Sequence, residues 1–390
     1  MRISRTAMLV AAVLILSACT GGDDGPAATT NAQPSGPTTS SPTTTSPTTT
    51  LASGAALPEG CDRGVPDPRQ AVTFVAGGRA WAIDRAGVRL TCLFKVSDAG
   101  PFAWGPQADR VLLGGLEVRG VNPAAPSLPA ETGRTPQVFD WGHPIGLAVV
   151  YASGERSPQK RFIDDGHVEV LDALPPGRYL DVAYHPSGLA LAFVVDRDGE
   201  QSIWLSTNEG LDPVRLVFSK GGTRFTSIAF TPDGEQLVWT AQHAGGFAQV
   251  HAMALDDRTG FTDGWRDDGE QTSNLVLAPR GGLMALDLGT GCDDRTATIV
   301  LSPKVARPAV PDATRPTTSI GWLDRSTLLV GVGGCDEPID LVAVDAAGDQ
   351  TPIVMDAEIG ATRTLTTSAP ESVPAPPVEA EEEPPPGGVG

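Results

Sequence analysis

Positive charge is scarce in this chain. Lys and Arg number 28 against 47 Asp and Glu, the formal charge is −19, and lysine occurs only at Lys95, Lys160, Lys220 and Lys304. A surface so biased repels phosphate backbones, which excludes nucleic acid as a partner. Long apolar runs are missing as well: no segment beyond the amino-terminal one has the roughly 18–20 consecutive apolar residues of a membrane-crossing helix. The linear signatures of common catalysts are absent, with no G-x-S-x-G elbow, no H-E-x-x-H and no phosphate loop. Gly331-Val332-Gly333-Gly334 lies between two expected strands rather than before a helix, so it is no dinucleotide loop. No catalytic residue, metal ligand or cofactor is therefore assigned.

What is present begins at the amino terminus. Arg2 and Arg5 precede an apolar run from Ala7 to Leu16, too short to span a bilayer and built like an export signal. It ends in Leu16-Ser17-Ala18-Cys19, which resembles the lipobox of bacterial lipoproteins. The resemblance implies cleavage before Cys19, a diacylglycerol thioether on its sulfur, and a protein anchored by lipid on the extracytoplasmic face of the cell membrane. Several acyl chains hold far more firmly than one myristoyl group.

The expected organisation is a signal peptide over 1–18, lipidated Cys19 with a linker to 57, a folded domain over 58–368 and a tail over 369–390. The linker is Thr, Ser, Pro, Gly and Ala, with the near-repeat Ser41-Pro42-Thr43-Thr44-Thr45-Ser46-Pro47-Thr48-Thr49-Thr50. With almost no large apolar side chain to bury, it cannot offset the entropy of ordering, and as a coil it spans roughly 35 Å. The tail carries Glu379, Glu381, Glu382 and Glu383 among prolines and is expected to be solvated in the same way.

Between the tails the chain repeats. A short strand closed by a large residue, a turn and a second apolar strand recur, with anchors at Trp104, Trp141, Tyr184, Phe230, Leu277 and Trp322 spaced by 37 to 47 residues. That is the period of a four-stranded propeller blade. Pro144-Ile145-Gly146, Pro186-Ser187-Gly188, Pro232-Asp233-Gly234 and Pro279-Arg280-Gly281 follow four of the anchors. In each, Pro presets φ and Gly takes the positive-φ place of a tight turn. Third strands such as Ser202-Ile203-Trp204-Leu205 and fourth strands such as Val214-Arg215-Leu216-Val217 complete the unit.

Ala229-Phe230-Thr231-Pro232-Asp233-Gly234-Glu235-Gln236-Leu237-Val238 resembles the W-S-P-D-G repeat of TolB-type, WD-like propellers, and Ala183 to Phe193 is a second match. The resemblance covers roughly residues 70 to 357 and implies a fold; TolB's own role does not carry over, because its extra α/β domain has no counterpart here. The predicted architecture is all-β, a propeller of four-stranded antiparallel blades. Seven blades are favoured, with Ala71–Val75, Arg79–Ile83 and Val88–Phe94 as strands two to four of a blade whose first strand comes from Ala361–Thr367. Six is the alternative, with the first hairpins as a lid.

Four cysteines remain after Cys19, and in an oxidising compartment four allow three pairings. Cys292 and Cys335 fall in the same loop, between strands two and three, of adjacent blades, which pairs them and leaves Cys61 with Cys92. The latter bridge would contribute roughly 3–4 kcal/mol. Asp293, Asp294, Asp336 and Glu337 beside them suggest a metal site as the alternative, disfavoured by the lack of a C-x-x-C pair. His143 and His185 occupy the same turn position and read as structural, whereas His167, His243 and His251 look isolated. Asp196-Arg197-Asp198-Gly199 resembles half a calcium loop but suits a hairpin turn better.

The expected function is a binding scaffold for an extracytoplasmic protein or envelope ligand. Asp293, Asp294, Asp336 and Glu337 form the candidate surface on the face opposite the Pro-x-Gly turns. An enzyme acting on envelope polysaccharide or an ester, with residues converging on the channel, is the alternative.

Overall fold

The computed structural model describes Leu57 and residues 64–363, except 97–101, 122–124, 126, 131–137, 143–147, 153–155, 208–209, 220, 257–261, 269–270, 280–281, 290–294, 303–304 and 335–336. Cys19, the linker, Cys61 and the acidic tail lie outside the described residues.

The expected period resolves into seven antiparallel sheets. Blade 1 pairs Val72–Ala76, Arg79–Ile83 and Leu90–Lys95 with Ile359–Thr362 from the far end of the chain. Blade 2 has Ala103–Trp104, Arg110–Leu113 and Glu117–Gly120; blade 3 has Val138–Trp141, Ala148–Ala152, Gln159–Phe162 and Val168–Val170. Arg178–Tyr184, Leu191–Arg197, Glu200–Ser206 and Pro213–Phe218 make blade 4, followed by Arg224–Phe230, Gln236–His243, Phe247–Ala254 and Thr262–Asp268 in blade 5. Blade 6 comprises Thr272–Leu277, Met284–Leu288, Thr298–Leu301 and Ala306–Pro308, and blade 7 Thr317–Trp322, Leu328–Val332, Ile339–Val344 and Gln350–Ala357. The only helical element among the described residues is a 3-10 turn at Gly114–Leu116.

Blade 2 departs from the four-strand expectation. Its fourth position is marked among the described residues by a single bridge, Leu128 to Val118, with mutual N–H···O bonds of 2.9 and 3.0 Å. The segment leading there, Val121-Asn122-Pro123-Ala124-Ala125-Pro126, carries prolines that cannot donate to a ladder.

The hydrophobic core is divided into seven parts. Each apolar cluster lies between two neighbouring blades, as when Ala192 and Val194 of blade 4 pack on Phe225, Ile228 and Trp239 of blade 5. The intervening residues Leu191, Phe193 and Val195 point the other way, onto Val150 and Ala152 of blade 3. Successive side chains of a strand face opposite sides of the sheet, and both sides of every blade are covered. This is why the second strands are unbroken apolar runs such as Leu191-Ala192-Phe193-Val194-Val195.

Closure of the ring is the expected one, with a shifted boundary. The closing strand is Ile359–Thr362, against the expected 361–367, and pairs Val72 with Thr362 through Val75 with Ile359. Arg363 pins the seam: its N–H donates to Ala71 O (2.7 Å), its guanidinium to Asp67 O (3.0 Å) and Ala108 O (3.1 Å), and it lies 5.1 Å over the Trp104 ring. Trp104 Nε1 in turn donates to Thr73 Oγ1, which donates to Ala361 O.

The hairpins follow their local chemistry. Asp198 (φ +55°) and Gly199 (φ +84°) are the two left-handed residues between the paired Arg197 and Glu200, so this Asp-Gly is a tight hairpin turn.

Candidate functional site

A blade's inner strand lines the axis, and its exposed backbone N–H groups need acceptors. The inner strands of blades 4 to 7 shift register in mid-strand, at Tyr179/Asp181, Phe225/Ser227, Ser273/Val276 and Ser319/Gly321. Such bulges leave ladder groups unpaired. An inner strand also has N–H groups that face away from its ladder, and a polar side chain of the preceding blade reaches across to several of them. Asp140 Oδ2 accepts from Tyr184 N (2.7 Å), Asp181 Oδ2 from Ile228 N (2.8 Å) and Ser227 Oγ from Leu275 N (3.2 Å). Asn274 Nδ2 then donates to Ser319 O (2.6 Å), and Ser319 Oγ to Asn274 O (3.1 Å). Asn274 has φ +52°, a conformation asparagine tolerates better than most residues.

Asp140 and Asp181, on the inner strands of blades 3 and 4, are half-buried. Burial pushes Asp140 up to about 7, against the lowering effect of the Tyr184 and Trp141 N–H bonds, with Asp181 raising it further. Burial likewise pushes Asp181 up to about 6, opposed by Ile228, Val182 and Ser227. All four oxygens are engaged, because Asp140 Oδ1 accepts from Trp141 N and Asp181 Oδ1 from Val182 N, at 2.8 and 2.9 Å. The pair therefore clamps blade 3 to blade 4 and blade 4 to blade 5.

Asp287, on the second strand of blade 6 and fully buried, is the densest hub. Oδ1 accepts from Thr298 Oγ1 and Ser319 N, and Oδ2 from Thr318 Oγ1, all at 2.8 Å, with Asn274 Nδ2 at 3.1 Å. Arg295 Nε lies 3.5 Å from Oδ2, so the residue just after the Asp293-Asp294 loop is held to this hub.

Of the expected surface, Asp293, Asp294 and Asp336 lie outside the described residues, as do Cys292 and Cys335. Glu337 is described and is exposed, in the loop between the second and third strands of blade 7. Arg315 fastens that loop from below, donating to Val332 O (2.5 Å) and Pro338 O (2.9 Å) while paired with Asp340 (3.1 Å). A side chain at Gly333 would come within 2.7 Å of this guanidinium. Cys92 is buried in the outer strand of blade 1, and its carbonyl accepts from Gly64 N at 3.0 Å, three positions after Cys61.

On the opposite face, His185 joins two of the expected turns. Its Nε2 donates to Gly234 O (2.9 Å), its Nδ1 accepts from Ser187 N (3.1 Å), and its ring meets Phe230 edge-on. Gly188 and Gly234 both have positive φ, as expected for these turns; His143 lies outside the described residues. The expectation that the other histidines stand alone is corrected. His167 stacks on Phe162, and His243 meets His251 across the blade 5 hairpin, which pairs His243 with Phe247 and Trp239 with His251. The same face carries a cleft of about 310 Å³ between blades 6 and 7, walled by Leu283, Val300, Trp322 and Leu328 with Arg307 at its edge. Among the described residues no group of three or more His, Cys, Asp and Glu side chains gathers around a possible metal position.

No protein-family model matches the chain, and no curated protein matches it. Among solved structures it is similar to TolB from Acinetobacter baumannii, at 13% identity over 77% of this chain and 68% of that one, TM-score 0.45. It is similar too to a chain of a nidogen/laminin complex, at 10% identity over 76% and 98%, TM-score 0.48. A third is the β-propeller domain of Cps50 (Swd1) from Myceliophteria thermophila, at 12% identity over 70% and 95%, TM-score 0.48. Likeness at this level concerns the fold alone.

Proposed function

We propose that the protein is an exported lipoprotein whose propeller is a binding scaffold for a protein or ligand of the cell envelope. The observation that carries the binding reading is the use made of the inner-strand carboxylates. Asp140 and Asp181 spend every oxygen on neighbouring backbone N–H groups and one hydroxyl, so they hold blades together rather than present a reacting pair. Recognition then falls to the loops between second and third strands, where Asp293, Asp294, Asp336 and Glu337 supply negative charge, Arg295 ties one loop base to buried Asp287 and Arg315 ties the other to half-buried Asp340. Disulfides Cys292–Cys335 and Cys61–Cys92 would tie the first of these loops to the second and the chain entry to blade 1; the Gly64–Cys92 backbone bond supports the latter.

The anchor rests on the lipobox resemblance at Leu16–Cys19 and the solvated linker after it. In detergent phase partitioning of cells making the full chain, the wild type is expected in the detergent phase and Cys19→Ala in the aqueous phase. Wild type in the aqueous phase would remove the anchor from this reading.

A further inference from the structure

We propose that the cleft between blades 6 and 7 seats the chain's own tail, with residues 374–378 (Pro-Ala-Pro-Pro-Val) on its apolar walls and Glu379, Glu381, Glu382 and Glu383 at its cationic rim. The tail leaves the ring beside this cleft. Arg363 N donates to Ala71 O as His185 N donates to Ala190 O and Thr231 N to Gln236 O, so the closing strand ends where the inner strands of blades 4 and 5 enter their Pro-x-Gly turns. Blade 1 needs no connecting turn there, because its second strand is Val72–Ala76 from the other end of the chain, and residues 364–390 start on the face that carries the cleft. A side chain at Gly321 would come within 2.5 Å of Thr362 Oγ1, and the next residue, Trp322, walls the cleft. Position 374 follows Arg363 by 11 residues, enough to reach about 35 Å when extended, whereas the four strands of a blade span only about 15 Å.

The cleft is apolar where the tail is apolar and cationic where the tail is acidic. Leu283, Val300, Leu328 and Val344 flank Trp322, and Val305 is exposed at the mouth. Aromatic-walled grooves take proline-rich segments, which lose little entropy on docking because their backbone is already extended. At the rim, Arg307 donates only to the carbonyls of Asp345 (2.8 Å) and Ala346 (3.1 Å), and Arg325 is exposed next to Ser326 of the cleft wall. Neither arginine makes an ion pair with a described carboxylate. Residues 364–390 contain five glutamates and no Lys or Arg, so the acidic run complements this rim. A tether this short holds the segment at a millimolar effective concentration, so weak contacts suffice and the seat adds little to the stability of the ring.

Carbodiimide coupling of the full chain, read by mass spectrometry, tests the seat, because it joins a carboxylate to a lysine in contact with it and the chain has only four lysines. Lys304 lies in sequence between the cleft residues Ser302 and Val305. Links from residues 379–383 to Lys304 are expected to outnumber those to Lys95 and Lys220 at least fivefold, within single chains and at every protein concentration. Pro376→Ser, Pro377→Ser and Val378→Ser together leave every carboxylate in place and should cut the Lys304 links at least threefold. Ala347→Gln, which puts a longer neutral side chain at an exposed position of the cleft wall, should do the same. Links spread evenly over the three lysines, links found only between chains, or Lys304 links indifferent to both variants would overturn the seat; the last result would mark a solvated tail that merely starts nearby.

Discussion

Ending the chain after Glu358 is expected to abolish cooperative unfolding, whereas ending it after residue 368 should leave Tm within about 2 °C of wild type. The first truncation removes the inner strand of blade 1 together with Arg363. Val72 to Val75 then lose their ladder partners, and the bonds from Arg363 to Ala71, Asp67 and Ala108 disappear. Ile359 and Ala361 also leave the cluster that joins blades 1 and 2. A ring with no central core transmits such a loss, because each blade is covered only by its neighbours, and opening one joint exposes the apolar faces on both sides of it. Thermal melts followed by circular dichroism, with limited proteolysis, check this. A sharp melt in the shorter chain would mean that the ring holds without its closing strand.

Asp287→Ala should lower stability by about 3–5 kcal/mol, the range for breaking a buried charged network by deleting one partner. It would strand Ser319 N and Thr298 Oγ1 away from water and take the carboxylate acceptor from half-buried Thr318 Oγ1, while exposed Asn274 keeps Ser319 O. For a domain of this size the fall in Tm is on the order of 10 °C. Asp287→Asn keeps the shape and one acceptor oxygen, so its loss should be markedly smaller. Chemical denaturation of both variants decides the matter; equal and small losses would show that the hub is dispensable.

Much of this fold is legible in the residues. The six apolar anchors at 37- to 47-residue spacing and the Pro-x-Gly turns carry the blade period and the strand order, and the three strands before Trp104 carry the seventh blade. Ring closure is legible from the missing first strand, although the closing strand lies earlier than its Thr-rich composition suggests. The pairing Val72 to Thr362 is set by contacts 290 residues apart, and no local pattern encodes such a register. The irregularity of blade 2 was not legible, since Trp104 and Val111-Leu112-Leu113 give it a normal first half.

The clamps left a weaker trace. Asp140 in Val138-Phe139-Asp140-Trp141, Asp181 in Leu180-Asp181-Val182 and Asp287 in Leu286-Asp287-Leu288 are carboxylates inside apolar strands, a placement that costs free energy unless partners are waiting. The loop carboxylates stand out in the residue pattern, whereas these three are submerged in it. The partners of Asp140 and Asp181 are backbone N–H groups of the next blade, 44 and 47 residues on, and Asp287 takes Ser319 N, 32 residues on, together with side-chain donors; no local motif records any of them. The histidine contact was hidden for a similar reason: His243 and His251 are eight residues apart, a distance that means proximity only once a hairpin joins their strands.

The binding reading stands or falls on capture from envelope extracts by the folded chain, comparing wild type with a variant in which Asp293, Asp294, Asp336 and Glu337 are all serine. The account expects a saturable partner retained by wild type and released at raised ionic strength, with retention reduced at least tenfold in the variant although its Tm is unchanged. Equal retention by the two proteins would contradict it, and the recognition surface would have to lie elsewhere on the ring.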